Sequence, residues 1–150
     1  MKSDPVPNSS ILLVDDNRDG LLVRKSLLQE LGYRVQSACN GEEGLKLFEA
    51  SNPDVVVTDF KMPRMDGLEL IRRIRTSNPN ARIILLSGFA EALGFTEENT
   101  GADAVIAKSS NEPAQLVRWV KRLLNRTTSR KPPMTQKAAN APRSSRASNR

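Results

Sequence analysis

Four nearly unbroken apolar runs punctuate the chain: ILLV at Ile11–Val14, VVV at Val55–Val57, IILL at Ile83–Leu86 and AVIA at Ala104–Ala107. A fifth segment, YRVQSA at Tyr33–Ala38, alternates instead. Short unbroken runs match strands covered on both faces, as in parallel sheets, whereas alternation marks a strand with one wetter side. Between the runs the apolar spacing becomes helical. A first helix is predicted from about Arg18 to Leu31, with Leu27, Leu28 and Leu31 sharing a face and Gly32 as its stop. A second surrounds Leu45 and Phe48 near Gly41–Ala50, and a third opens at an Asp66 N-cap and Gly67 and carries Leu68, Ile71 and Ile74. A fourth, over Glu91–Asn99, is thinly apolar and contains Gly94. The fifth takes Asn111 as N-cap and Pro113 in its first turn, with Leu116, Val120, Leu123 and Leu124 as its stripe. Strand and helix alternate five times, which predicts an α/β fold with a doubly wound, five-stranded parallel sheet.

From about Arg126 onward the periodicity stops and Ser, Pro, Arg and Asn dominate. The expected organisation is a flexible leader over 1–9, one domain over 10–125 and a basic, disordered tail over 126–150. Seven of the 23 Lys and Arg residues fall in that tail, which has no acid, leaving sixteen against seventeen acids before it. The net charge of +6 therefore belongs to the tail. Nucleic acid is not an expected partner of the domain, and the tail lacks aromatics on which bases could stack. No apolar run approaches the roughly 18–20 residues of a membrane span, and MKSDPVPNSS has no signal-peptide core. The lone Cys39 rules out an internal disulfide. These features point to a cytoplasmic protein without membrane association. Cys39 reads as a small apolar filler at a strand end, Met62 and Met65 as loop packing, and Trp119 as partly buried beside the last helix's stripe. The absence of histidine removes Ser-His and Cys-His nucleophile pairs and the usual zinc sets. A metal here would be held by oxygen, as magnesium, calcium or manganese.

Polar residues follow the buried runs: Asp15-Asp16 after ILLV, Asp59 after VVV-Thr58, Ser87 after IILL and Lys108 after AVIA. In a parallel sheet these carboxyl ends share one edge, where open α/β sheets bind ligands. With the common strand order 2-1-3-4-5, Asp15 and Asp16 face Asp59, and Ser87 and Lys108 close the other side. Two carboxylates about 5 Å apart repel by roughly 3 kcal/mol at an effective dielectric near 20. Lys108 alone cannot balance three acids, so a proton or a divalent cation is expected, and open oxygen ligands suit magnesium. Acids, a lysine and a hydroxyl around magnesium make a phosphoryl site, with Asp59 as the nucleophile and Asp15 and Asp16 holding the ion.

At these residues the chain resembles the receiver domain of bacterial two-component response regulators. VDD at 14–16, D-F-K-M-P-x-M-D-G from Asp59 to Gly67, L-S-G at 86–88 and G-A-D-x-x-x-x-K from Gly101 to Lys108 match in order and spacing. The resemblance implies a (βα)5, flavodoxin-like fold of the stand-alone, chemotaxis-receiver type. It also implies phosphorylation of Asp59, a metal held by Asp15, Asp16, Asp59 and the Lys61 backbone carbonyl, and a phosphoryl group contacted by Ser87 and Lys108. The implied donor is a sensor histidine kinase or a histidine phosphotransfer protein. The implied output is a switched interaction with a downstream protein, with phosphorylation-dependent homodimerisation as a further expectation. The activity implied is acceptance and slow loss of its own phosphoryl group, not turnover of a separate substrate. No output domain is expected in the residues after Asn125. Two positions depart from the family pattern. Val105 stands where an aromatic couples to the hydroxyl, so a ring-based switch is not available, and Ser109 replaces a proline after the lysine, which favours a trans bond there. Two other classes stay open: a pseudo-receiver that binds partners without phosphorylation, and a phosphohydrolase. Such hydrolases place a second acid two residues after the nucleophile, where this chain has Lys61.

Overall fold

Successive side chains of a strand point to opposite faces of its sheet, so an unbroken apolar strand needs cover on both sides. The computed structural model describes residues 8–88 and 94–126. Its elements are β1 (Ser10–Val14), α1 (Arg18–Glu30), β2 (Arg34–Ala38), α2 (Gly41–Ser51), β3 (Val55–Asp59), α3 (Gly67–Ser77), β4 (Ile83–Ser87), a short α4 (Glu97–Thr100), β5 (Ala104–Ala107) and α5 (Glu112–Leu124). All strand pairs are parallel and the order is β2-β1-β3-β4-β5, as the sequence predicts. Ile11 and Leu13 face one apolar layer with Leu21, Leu28, Leu116 and Val120 from α1 and α5. Leu12 and Val14 face the other, with Phe48, Leu70, Ile71 and Ile74 from α2 and α3. Each fully buried Leu, Ile or Val contributes about 1.5–3 kcal/mol relative to exposure, so the two layers drive the fold. No helix among the described residues is long and apolar enough to cross a membrane.

Several local expectations need correction. Cys39 is exposed, not a buried filler: Ala38 is the inward residue at the end of β2, and the Cys39 N–H donates to Glu43 Oε1 at 3.0 Å. On α1 the buried residues are Leu21 and Leu28, while Leu31 lies past the helix end and is 40 % exposed. The predicted fourth helix reduces, among the described residues, to Glu97–Thr100, capped reciprocally by Thr96 and Asn99; Gly94 sits before it with φ +69°, and residues 91–93 lie outside the described residues. Asn111 precedes α5 but makes no side-chain cap, because its own φ and ψ are already helical. Ser109 serves that turn, with Oγ accepting from the Asn111 N–H and its carbonyl from the Glu112 N–H. The predicted leader and tail lie outside the described residues up to residue 7 and from residue 127; Asn8 and Ser9 bond to Gly32 and Arg34. Met62 and Met65 are buried as expected, and Trp119 is partly buried, with the Arg122 guanidinium 4.7 Å from its ring centre.

Candidate functional site

The strand register decides which polar residues meet. Val14 pairs with Thr58, Asp59 with Leu86, and Ser87 with Ala107, so Asp15, Asp59, Ser87 and Lys108 come to one edge. Asp15 extends β1 by one bond, its N–H donating to the Ala38 carbonyl at 3.1 Å. The chain then turns into α1 through Asn17, whose side chain accepts from the Gly20 N–H, while Asp15 Oδ1 accepts from the Asn17 N–H at 2.9 Å. Asp15 is buried and Asp16 exposed.

Asp59 ends a strand that is buried along its whole length and is itself only 6 % exposed. The tight turn after it is closed by Gly67, whose N–H donates to the Phe60 carbonyl at 2.8 Å. A Cβ on Gly67 would sit 2.3 Å from the Asp59 carbonyl oxygen, so only glycine lets α3 start this close to the site. Asp66 caps α3 by accepting from the Glu69 N–H, as predicted.

Three carboxylate oxygens, one each from Asp15, Asp16 and Asp59, lie within 4.8 Å of one another. Lys108 Nζ is 2.7 Å from Asp59 Oδ1. These groups border a cleft of about 310 Å³ lined by Asp16, Asn17, Asp59, Phe60, Lys61, Ser87, Gly88 and Lys108. Every sequence-predicted site residue except Asp15 lines this cleft, and Asp15 is buried with an oxygen within 4.8 Å of those of Asp16 and Asp59. A larger groove of about 540 Å³ borders α3, but Glu69 there pairs with Arg72 and Arg73 on the same helix and Asp66 caps it, and among the described residues the convergent acids are Asp15, Asp16 and Asp59. Size does not locate the chemistry.

Burial raises the Asp59 pKa above the ordinary aspartate value; the Lys108 hydrogen bond opposes that rise and the Asp15 charge adds to it. Lys108 is not the only cation present. Arg24 Nη1 donates to Asp15 Oδ2 at 2.8 Å, and its Nε and Nη2 form a fork on Glu112 at 2.9 and 3.0 Å. Burial works against the Arg24 charge, but bonding and attraction from Glu112, then Asp15, prevail and hold its pKa above the usual arginine value. Four carboxylates, Asp15, Asp16, Asp59 and Glu112, are gathered here against Lys108 and Arg24, with Lys61 also on the cleft wall, so acids outnumber cations. Oxygen donors at this spacing with that deficit fit a hard divalent ion such as magnesium.

Arg24 and Glu112 were not picked out from the sequence, although a signal exists. Arg24 falls on the inward spacing Leu21–Arg24–Leu28, and Glu112 one turn before Leu116, so each is a charge where an apolar residue would be expected. A second unanticipated contact joins Phe60 edge-on to Phe95, with ring centres 4.8 Å apart. Val105 is half-buried in the layer that includes Phe95, and the Lys108–Ser109 bond is trans.

A parallel sheet of order 2-1-3-4-5 with an acid pocket at the carboxyl edge of β1 and β3 defines a receiver-type α/β module. The family model for the response regulator receiver domain matches residues 11–121, and the chain belongs to that family. It is 36 % identical over 103 residues to a probable chemotaxis protein CheY of Rhizobium etli, covering 65 % of this chain and 79 % of that protein. It is 33 % identical over 121 residues to a probable transcriptional regulator, ycf27, of Cyanidium caldarium, covering 80 % of this chain and 48 % of the relative. The chain thus spans about half the length of several curated relatives. Among solved structures, the response regulator TrrA from Thermotoga maritima, in complex with Mg(2+)-BeF, superposes with a TM-score of 0.70 at 38 % identity, covering 77 % of this chain and 98 % of that one.

Proposed function

We propose that the chain is a phosphorylation-controlled interaction module whose Asp59 takes a phosphoryl group from the phosphohistidine of a sensor kinase or a phosphotransfer protein. An Asp59 oxygen attacks phosphorus, the P–N bond breaks, and the imidazole leaves with the proton its other ring nitrogen already carries. Water later cleaves the acyl phosphate, returning the carboxylate and inorganic phosphate. The observation that carries this reading is the gathering of Asp15, Asp16 and Asp59 within 4.8 Å, with Lys108 on Asp59, at an open cleft. Asp15, Asp16, Asp59 and the Lys61 carbonyl would hold magnesium, which supplies charge stabilisation to the phosphoryl oxygens when bound. Lys108 reaches the same oxygens from the other side, and Ser87 offers a hydroxyl at the cleft wall. Relatives named as a sensor kinase, of which 9 % is matched, and as a phosphotransferase support a place in a phosphoryl relay, and the switched output would be a protein contact, including self-association.

The test is incubation with magnesium and a small acyl phosphate, followed by intact-mass measurement. One added phosphoryl mass that is absent in Asp59→Asn is expected. No adduct with any phosphoryl donor would make the chain a phosphorylation-independent binding module, and sustained turnover without an adduct would make it a hydrolase.

A further inference from the structure

Arg24 sits in a made-to-measure seat. Its side chain is 12 % exposed between the carboxylates of Asp15 and Glu112, which are 4 % and 9 % exposed. Gly20 leaves the space it fills, since a Cβ there would lie 2.9 Å from Nη1 and 3.4 Å from Asp15 Oδ2. The planar guanidinium sets a parallel pair of bonds on Glu112 and a third on Asp15 from three separate nitrogens, a geometry that the single nitrogen of a lysine does not reproduce. Withdrawing these charges from water is costly, and apolar residues at positions 24 and 112 would join α1 to α5 at least as well. Packing therefore does not account for the triad. One of its acids, Asp15, belongs to the proposed metal set, and the other, Glu112, opens α5.

We propose that Arg24 is a positioning residue for the acid pocket: a tethered cation, shared between Asp15 and Glu112, that lowers and sets the pocket's affinity for its divalent ion. Arg24 neutralises part of the Asp15 charge before any ion arrives. Glu112 draws part of the arginine's charge away from Asp15. The two residues then act in opposite directions on the ion, although they are bonded to each other. The inference rests on Asp15, Asp16 and Asp59 being the metal ligands.

Titration of the unphosphorylated full chain with magnesium chloride, followed by calorimetry, tests it. R24M is expected to bind magnesium about tenfold more tightly than wild type, and E112Q about threefold more weakly. A merely structural triad would loosen the pocket in both variants, so shifts of the same sign, or no shift, would overturn the inference. Because R24M leaves Glu112 buried without its cation, the double variant R24M/E112L supplies a well-packed check. It should also bind more tightly than wild type, and equal or weaker binding would count against the tethered cation. Absence of magnesium binding by wild type would instead remove the metal-site reading, and this inference with it.

Discussion

Lys108 Nζ stands 2.7 Å from Asp59 Oδ1 although their strands, β3 and β5, are separated by β4. The link works because the Lys108 N–H first bonds the Ser87 carbonyl at 3.1 Å, which places the lysine stem at the end of β4 and lets it reach across. About a third of the lysine side chain remains exposed, so the ammonium can follow a group that adds to Asp59. Lys108→Ala should slow phosphorylation of Asp59 by a small acyl phosphate by roughly 10²-fold, the usual loss for one donor to developing charge. The rate of adduct formation by intact mass is the readout, and an unchanged rate would remove Lys108 from the chemistry.

Asp59 also makes stability depend on pH. Its pKa is raised above the ordinary value, mainly by burial, so the folded state prefers the protonated carboxyl. The stability contributed by that preference is complete below the unfolded aspartate pKa and is lost as pH rises through the raised folded value. In the absence of divalent ion, Asp59→Asn should therefore raise the unfolding temperature at pH 7 by a few degrees, and the gain should shrink as pH falls toward 4. Thermal melts of both proteins across pH 4–7 in a chelator test this. A lower melting temperature for the variant at pH 7 would mean that the Lys108 pair outweighs burial.

Magnesium should reverse that order. An ion bound only by the folded state stabilises it by about 2.7 kcal/mol at a hundred times its Kd. Wild type should gain that increment on adding magnesium and lose it to a chelator, while Asp16→Asn, which removes an exposed ligand without disturbing the Arg24 seat, should gain far less. Melts with and without magnesium provide the comparison. Equal gains for the two proteins would take Asp16 out of the ligand set.

The parallel sheet was legible because Ile11–Val14, Val55–Val57, Ile83–Leu86 and Ala104–Ala107 are apolar on both faces, whereas its order rested on the commonest arrangement of such sheets and on the family resemblance. The meeting of Asp15, Asp16, Asp59, Ser87 and Lys108 followed from parallel strands ending together. Arg24 stayed hidden because charge on a helix is ordinarily taken as solvated; its significance depends on helical phase and on Glu112, 88 positions away. Cys39 was misplaced by one residue of strand phase, which sends a side chain to the opposite face. The Phe60–Phe95 contact was not visible because no periodicity links a turn residue after β3 to one ahead of α4.

Gly67 couples the turn to the site by contact. Its missing Cβ is what lets α3 approach the Asp59 carbonyl, and Phe60 Cα would lie 2.9 Å from such an atom. Gly67→Ala must push α3 away from β3 at a point where both partners are backbone. A loss of about 1–3 kcal/mol is expected, as for other overpacked interiors, measured as a lower urea midpoint. The folded variant should also phosphorylate more slowly, since the Asp59 backbone moves. Wild-type stability would show that α3 can shift at no cost.

Arg75 marks the opposite edge of the sheet. Its guanidinium donates to the Gly101 carbonyl at 3.0 and 2.9 Å, to Pro79 at 2.9 Å, to Ala81, and to Asp103 Oδ2 at 3.1 Å. Asp103 Oδ2 in turn accepts from the Ile83 N–H at 2.8 Å, so one arginine ties α3 to the starts of β4 and β5. Arg75→Met would strip several carbonyls and the Asp103 carboxylate of a donor in a half-buried place, which should destabilise by about 3 kcal/mol. Unlike Arg24, Arg75 has its partners among the described residues at the amino edge of the sheet, not in the acid pocket. Below its unfolding transition the variant should therefore accept phosphate at the wild-type rate, and a slowed rate in fully folded protein would show that the amino edge of the sheet reaches Asp59 after all.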